Sequence, residues 1–277
     1  MAVVSSPLAK KALRPVERRV TLDGTAYSDT GRGEPLVLIH GVGMRLDAWA
    51  PQIDALSRTH RVIAVDMPGH GRSAALPGGS DLEAFVGWLV RFLDALSLDR
   101  ANLAGHSMGA LITGGAVSTF PERIRRVALL NGVHRRDAAA KTAVLERAAS
   151  IASTGIDIDG PVARWFADDA ASALARELTR EWLSLMDVAA YATAYSAFAG
   201  GDATYADRWS EVTCPALFLT GSDDPNSTPA MAQTMAALAP RGYARIIDGH
   251  RHMVNLTAPE EVNRLLLEWL QLPEVPA

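Results

Sequence analysis

The chain has 277 residues, 48% of them hydrophobic and 21% charged, with a formal net charge of −4. That is enough apolar material for one large domain, and the charge excludes a general attraction to nucleic acid or anionic membranes. Cys214 is the only cysteine, so no intramolecular disulfide can form, which fits a reducing, cytoplasmic setting; no apolar run approaches the roughly 18 residues of a membrane span.

Residues 1–16 lack the apolar stretch of a secretory signal and read as a flexible arm. Residues 17–22 alternate weakly and precede Asp23-Gly24, which predicts a hairpin into a short second strand near residues 25–28. The continuous apolar run 36–39 predicts a strand buried on both faces, ending in His40-Gly41-Val42-Gly43. Asp47 is placed to cap a helix over residues 48–57. Arg61–Val65 is the next buried strand and runs into the turn-rich segment 66–73. Asp81 opens an amphipathic helix, with Leu82, Phe85, Val86, Leu89, Phe92, Leu93 and Leu96 at helical spacing. Residues 102–104 lead into Gly105-His106-Ser107-Met108-Gly109, a helix-compatible run follows over 111–119, and Ile124–Leu130 is another strand ending at Asn131-Gly132.

From residue 133 to 208 no buried strand is visible. Trp165, Phe166, Trp182, Leu183, Met186, Tyr191, Tyr195 and Phe198 fall at helical spacings, which predicts an insertion of about four helices. The strand-helix rhythm then resumes with a strand over 216–219, a helix over Pro229–Leu238, a strand over 244–247 and a closing helix over Pro259–Leu270. Alternating strands and helices give a mostly parallel sheet covered on both faces. The expected organisation is an arm (1–16), an α/β core (17–132 and 209–277) and a helical cap (133–208).

The G-x-S-x-G pentapeptide sits between a strand and a helix. In such an elbow Ser107 is strained and exposed above the sheet, and the flanking glycines let strand and helix approach. Acyl hydrolysis by a serine also needs a base, a group that orients the base, and two N–H donors for the oxyanion. Each has a candidate after a predicted strand, where open α/β sheets place their sites. The acid is Asp223 or Asp224, the base His250 or His252. The order Ser, Asp, His along the chain is that of one serine-hydrolase architecture. The oxyanion donors are the Met108 N–H and a donor from the loop after residue 39, for which Val42 is the candidate. The pair His250-x-His252 has no third ligand near in sequence, so neither metal nor cofactor is expected.

These segments together resemble the α/β-hydrolase superfamily over residues 20–272. The resemblance rests on His40-Gly41-Val42-Gly43, the D-x-P-G-H-G-x-S of residues 66–73, the elbow, G-x-x-D-P at 221–225 and H-M-x-N-x-x-x-P-E at 252–260. It implies an eight-stranded, mostly parallel sheet with a helical cap, and it selects Asp224 as acid and His252 as base. Within the superfamily the chain is most similar to 3-oxoadipate enol-lactonases and small esterases, whose cap carries an R-W-F like Arg164-Trp165-Phe166. That implies a small ester or lactone as substrate. The substrate is then expected to meet His40, Gly41, Gly43 and His106 on the core side and Arg164, Trp165 and Phe166 on the cap side, with Arg164 placed to pair a carboxylate. Departures are His106 within the elbow, Ala110 after it, and Arg251 beside the expected base. The alternatives are a C–C hydrolase of ring-fission diketones, whose elbow and H-G loop carry further glycines and an asparagine missing here, and a binding member without turnover. A monomer and a homodimer are both compatible with the sequence.

Overall fold

The continuous apolar runs form the middle of an eight-stranded sheet in a computed structural model, which describes residues 16–274. The strands are β1 (Arg19–Val20), β2 (Ala26–Thr30), β3 (Pro35–Ile39), β4 (Arg61–Val65), β5 (Ala101–His106), β6 (Ile124–Leu130), β7 (Ala216–Gly221) and β8 (Gly242–Ile247). Their spatial order is β1-β2-β4-β3-β5-β6-β7-β8, antiparallel at the β1–β2 and β2–β4 pairs and parallel from β4 onwards. The helices are α1 (Ala50–Leu56), α2 (Leu82–Ala95), α3 (Met108–Thr119), α4 (Ala138–Thr154), α5 (Asp159–Trp165), α6 (Ala173–Ser184), α7 (Val188–Gly200), α8 (Pro229–Leu238), α9 (Val254–Thr257) and α10 (Pro259–Leu270). None is long and apolar enough to cross a membrane.

Alternation along the strands splits the core in two. Val37, Ile39, Ile63, Val65, Leu103, Val127 and Phe218 face the layer that contains α2 and α3. Leu36, Leu38, Val62, Ala64, Ala104, Leu130, Leu217 and Leu219 face the layer of α1 and α10. Both faces are apolar, which is why these strands read as unbroken hydrophobic runs. Between β6 and β7 lie the four helices α4 to α7, with no strand among them.

Two local expectations need correction. The first hairpin is shorter than predicted, since only Arg19–Val20 pairs with β2. Asp47 caps no helix: it lies inside a 3-10 turn, Leu46–Trp49, and α1 starts later, at Ala50. The Asp47 carboxylate instead takes the Arg18 guanidinium and the Val16 N–H (3.2 Å). Arg18 also reaches Asp66 at 3.1 Å, so the turn is organised by an ion-pair network and not by a cap. The expected arm lies outside the described residues except for Val16.

Candidate active site

Strand β5 runs straight into α3 through Ser107, whose backbone is held at φ 55°, ψ −113°. This is a left-handed conformation that a serine adopts only under constraint. A Cβ on Gly105 would run into the Gly109 carbonyl, and one on Gly109 into the Ile39 carbonyl. The glycines are therefore required by the contact of β3, β5 and the start of α3.

The loops after β7 and β8 meet beside the elbow. His252 Nδ1 lies 2.8 Å from an Asp224 carboxylate oxygen, and both side chains are buried. Asp224 accepts four further bonds, from Asn131 Nδ2 (2.9 Å), Asn226 N–H (2.8 Å), Ser227 N–H (3.1 Å) and, at the long limit, Thr220 Oγ1 (3.5 Å). Burial pushes the Asp224 carboxyl up, but His252 and these donors outweigh it and hold it below the usual carboxylate value. With Nδ1 committed to Asp224, Nε2 is the ring nitrogen left to exchange a proton. Asn131 is itself left-handed (φ 49°), which a side chain of this type tolerates. The Asn-Gly step at the end of β6 was the available signal for this orienting residue.

The two histidine-bearing loops are tied to each other. His40 Nε2 accepts the Met67 N–H (2.9 Å), and His70 Nε2 accepts the Gly43 N–H (3.0 Å). Each ring places its other nitrogen on a backbone carbonyl, Gly41 O for His40 (2.8 Å) and Pro68 O for His70 (3.0 Å). Asp66 accepts the Leu46 N–H at 2.7 Å. These bonds fix the loop that carries Val42. Burial pushes the His70 imidazole down to about 4, and that of His40 well below the ordinary value. The Val42 and Met108 N–H groups donate to no acceptor among the described residues.

Val42, Ser107 and His252 share one cavity of about 170 Å³ with Arg164 and Trp165. The other residues expected to meet a substrate have different neighbours. Both His40 nitrogens are spent on backbone. A Cβ on Gly41 would press on Ser107 and His106, and one on Gly43 would collide with Leu183. Gly41 and Gly43 thus serve close packing rather than the cavity wall. His106 donates from Nε2 to the His252 carbonyl (2.8 Å), and burial, followed by the nearby His252, pushes it down to about 3. It supports the loop that bears His252. Phe166 faces a separate hollow of about 560 Å³ behind α5, which contains neither Ser107 nor His252.

The cavity also has residues that the sequence did not single out. Arg147 and Tyr195 line it, joined at 3.2 Å from Nε to the phenolic oxygen. Arg136 lines it too, but its guanidinium is 3.4 Å from Asp202 and stacks over Phe198 at 4.4 Å. Arg147 and Arg164 form no ion pair among the described residues. Helical spacing alone does not show which turn of α4 or α7 faces the cavity, so no signal for Arg147 was available.

A family model described as the alpha/beta hydrolase fold matches residues 34–259. The chain is 50% identical over 245 residues to the (E)-2-((N-methylformamido)methylene)succinate hydrolase of Acinetobacter baylyi, covering 88% of this chain and 93% of that one. Over 113 residues it is 41% identical to a 2-hydroxy-6-oxo-2,4-heptadienoate hydrolase of Pseudomonas putida, 39% of this chain and 41% of the other. The enol-lactonase of Burkholderia xenovorans superposes with a TM-score of 0.82 at 26% identity, covering 92% of this chain and all of that one (100%).

Proposed function

The chain belongs to the α/β-hydrolase fold family and is a hydrolase, and from that premise we propose that it cleaves an acyl bond in a small molecule carrying carboxylates, through Ser107, His252 and Asp224. The observation that carries this reading is the strained Ser107 on the same cavity as the Asp224-bound His252 and two arginines without a carboxylate partner. His252 takes the Ser107 proton through Nε2 while Oγ attacks the carbonyl carbon. Val42 and Met108 N–H groups receive the oxyanion, and Asp224 stabilises the imidazolium. His252 then protonates the leaving oxygen or nitrogen, and a water activated by the same ring releases the acid.

Helices α4 to α7 act as the cap over this cavity. Arg164, with Arg147, recognises the carboxylates. The name of the relative from Acinetobacter describes a succinate bearing a formamide; a dicarboxylate of that kind matches two arginines without a carboxylate partner. The first compound to test is therefore that N-formyl enamide of succinate, beside small esters and lactones. The match to the dienoate hydrolase supports C–C cleavage as a second reading, and a chromogenic ring-fission diketone in the same panel separates the two.

The primary test is intact mass after a serine-directed fluorophosphonate. One adduct is expected on the wild type and none on Ser107→Ala; an unlabelled wild type overturns the proposal. In the substrate panel, Arg164→Ala is expected to raise KM about tenfold for carboxylate-bearing substrates and to leave neutral esters within about twofold.

A further inference from the structure

Arg251, the cation beside His252, has no part in the chemistry above. Its surroundings give it a different role. The backbone around it is pinned from the core through three consecutive carbonyls. Asp223 N–H donates to His250 O (2.9 Å), Asn131 Nδ2 to Arg251 O (3.4 Å), and His106 Nε2 to His252 O (2.8 Å). The Arg251 side chain reaches the opposite way. Its Nη1 lies 3.0 Å from Ala163 O and 3.0 Å from Phe166 O, at the C-terminal end of α5.

Carbonyls in the last turn of a helix have no partner within it, and a guanidinium supplies donors and charge where both are favourable. Helix α5 carries Arg164 and Trp165, and the Trp165 ring centroid is 5.7 Å from that of His252. Between α4–α7 (residues 138–200) and residues 16–132 and 209–274, the two Arg251 bonds are the only hydrogen bonds or ion pairs among the described residues. Elsewhere at that junction side chains pack without such bonds, as where Leu183 and Tyr191 lie against Gly43. Apolar contacts tolerate sliding, whereas a bond to two fixed carbonyls sets a position. The two arginines of α6 bond only within residues 138–200, Arg176 to Ala167 O, Asp169 O and the Asp168 carboxylate and Arg180 to Asp159 at the start of α5, so neither ties α5 to the sheet.

We propose that Arg251 is a latch: its guanidinium fixes the end of α5, and with it Arg164 and Trp165, to the rigid loop that carries His252. It is a positioning residue, and the part of the proposal that concerns substrate preference rests on the function proposed above. With the latch made, the carboxylate-binding arginine and the base hold one mutual geometry. With it broken, the roof of the cavity shifts while the base stays pinned by His106, Asn131 and Asp223.

The test uses the full chain as wild type, Arg251→Met and Arg251→Lys. Amide hydrogen exchange over residues 159–166 is compared with exchange over 101–119. In Arg251→Met, exchange is expected to speed about fivefold in 159–166 only, with partial return in Arg251→Lys. The second readout is kcat/KM for mono(4-nitrophenyl) succinate relative to 4-nitrophenyl acetate. That ratio is expected to fall about fivefold in Arg251→Met, through KM, and to fall no further when Arg251→Met is added to Arg164→Ala. Unchanged exchange over 159–166, or equal acceleration over both segments, overturns the latch. A wild type that hydrolyses neither ester and takes no fluorophosphonate overturns the functional reading instead, while the exchange comparison still decides the latch.

Discussion

Ser107 sits in a conformation that costs about 1–3 kcal/mol for a residue with a side chain, and it is held there by β5 behind it and α3 in front. In the proposed mechanism the orientation of His252 depends on Asp224, which lies 2.8 Å from the imidazole Nδ1. Its Oδ2 accepts from both His252 and Asn131, and its Oδ1 from two backbone N–H groups. Asp224→Asn keeps the shape but offers an NH2 where an acceptor is required. The imidazole then loses the partner that fixes its proton on Nδ1. The expected outcome is a drop in kcat of about 10⁴-fold with little change in thermal stability, measured on whichever ester or amide the wild type hydrolyses. A loss under tenfold means that Asp224 does not orient the base.

At the scale of elements, the site depends on how closely α3 docks on the end of β3. Gly109 lies against the Ile39 and His40 carbonyls, which belong to the strand that leads into the Val42 loop. Gly109→Ala forces α3 away from β3. Backbone has no soft direction in which to yield, so the cost is that of overpacking, about 1–3 kcal/mol, or roughly 2–10 °C in Tm for a chain of this size. Calorimetry should show that loss together with slower fluorophosphonate labelling, because Ser107 and the Met108 N–H move with the helix. A Tm within one degree or so of the wild type means that the contact is looser than the geometry shows. The loops of His40 and His70 act together in the same way. Each histidine holds the backbone of the other's loop, so neither segment keeps its shape alone.

Across the molecule, burial of His40, His70 and His106 links stability to pH. All three have folded values below the ordinary histidine value, His70 at about 4 and His106 at about 3. The unfolded chain therefore binds these protons first as the pH falls. Their contribution is complete above about 6.5 and is lost progressively below it, at up to ~1.4 kcal/mol per pH unit for each histidine. Asp47 and Asp224, held below the usual carboxylate value, lose their contribution only below about 4. Asp66, raised by burial, has the opposite sign and offsets part of the loss at the acid end. Urea midpoints at pH 7.5, 6.0 and 5.0 are expected to fall in that order. Equal midpoints mean that the three rings are solvated enough to protonate in the folded state.

Local chemistry was legible in the sequence because its causes are local. Continuous apolar runs became the central strands, with Ile124–Leu130 present over the predicted span. Asp81 caps its helix by accepting the Ala84 N–H, and Pro229–Leu238 and Pro259–Leu270 have the predicted limits. The elbow around Ser107 could be read because glycine spacing and strand-to-helix order are enough to define it. Assigning side chains to the cavity required the tertiary structure. His40 and His106 are spent on Met67 and on the His252 carbonyl, Asp47 on Arg18, and Phe166 lines a different hollow from Ser107, while Arg147 arrives from a helix far along the chain. Sequence periodicity specifies which face of an element is buried. Which residue, across 31 to 146 positions, takes up a given donor or acceptor is decided only when the elements pack, because every buried polar group must then find a partner within hydrogen-bond reach.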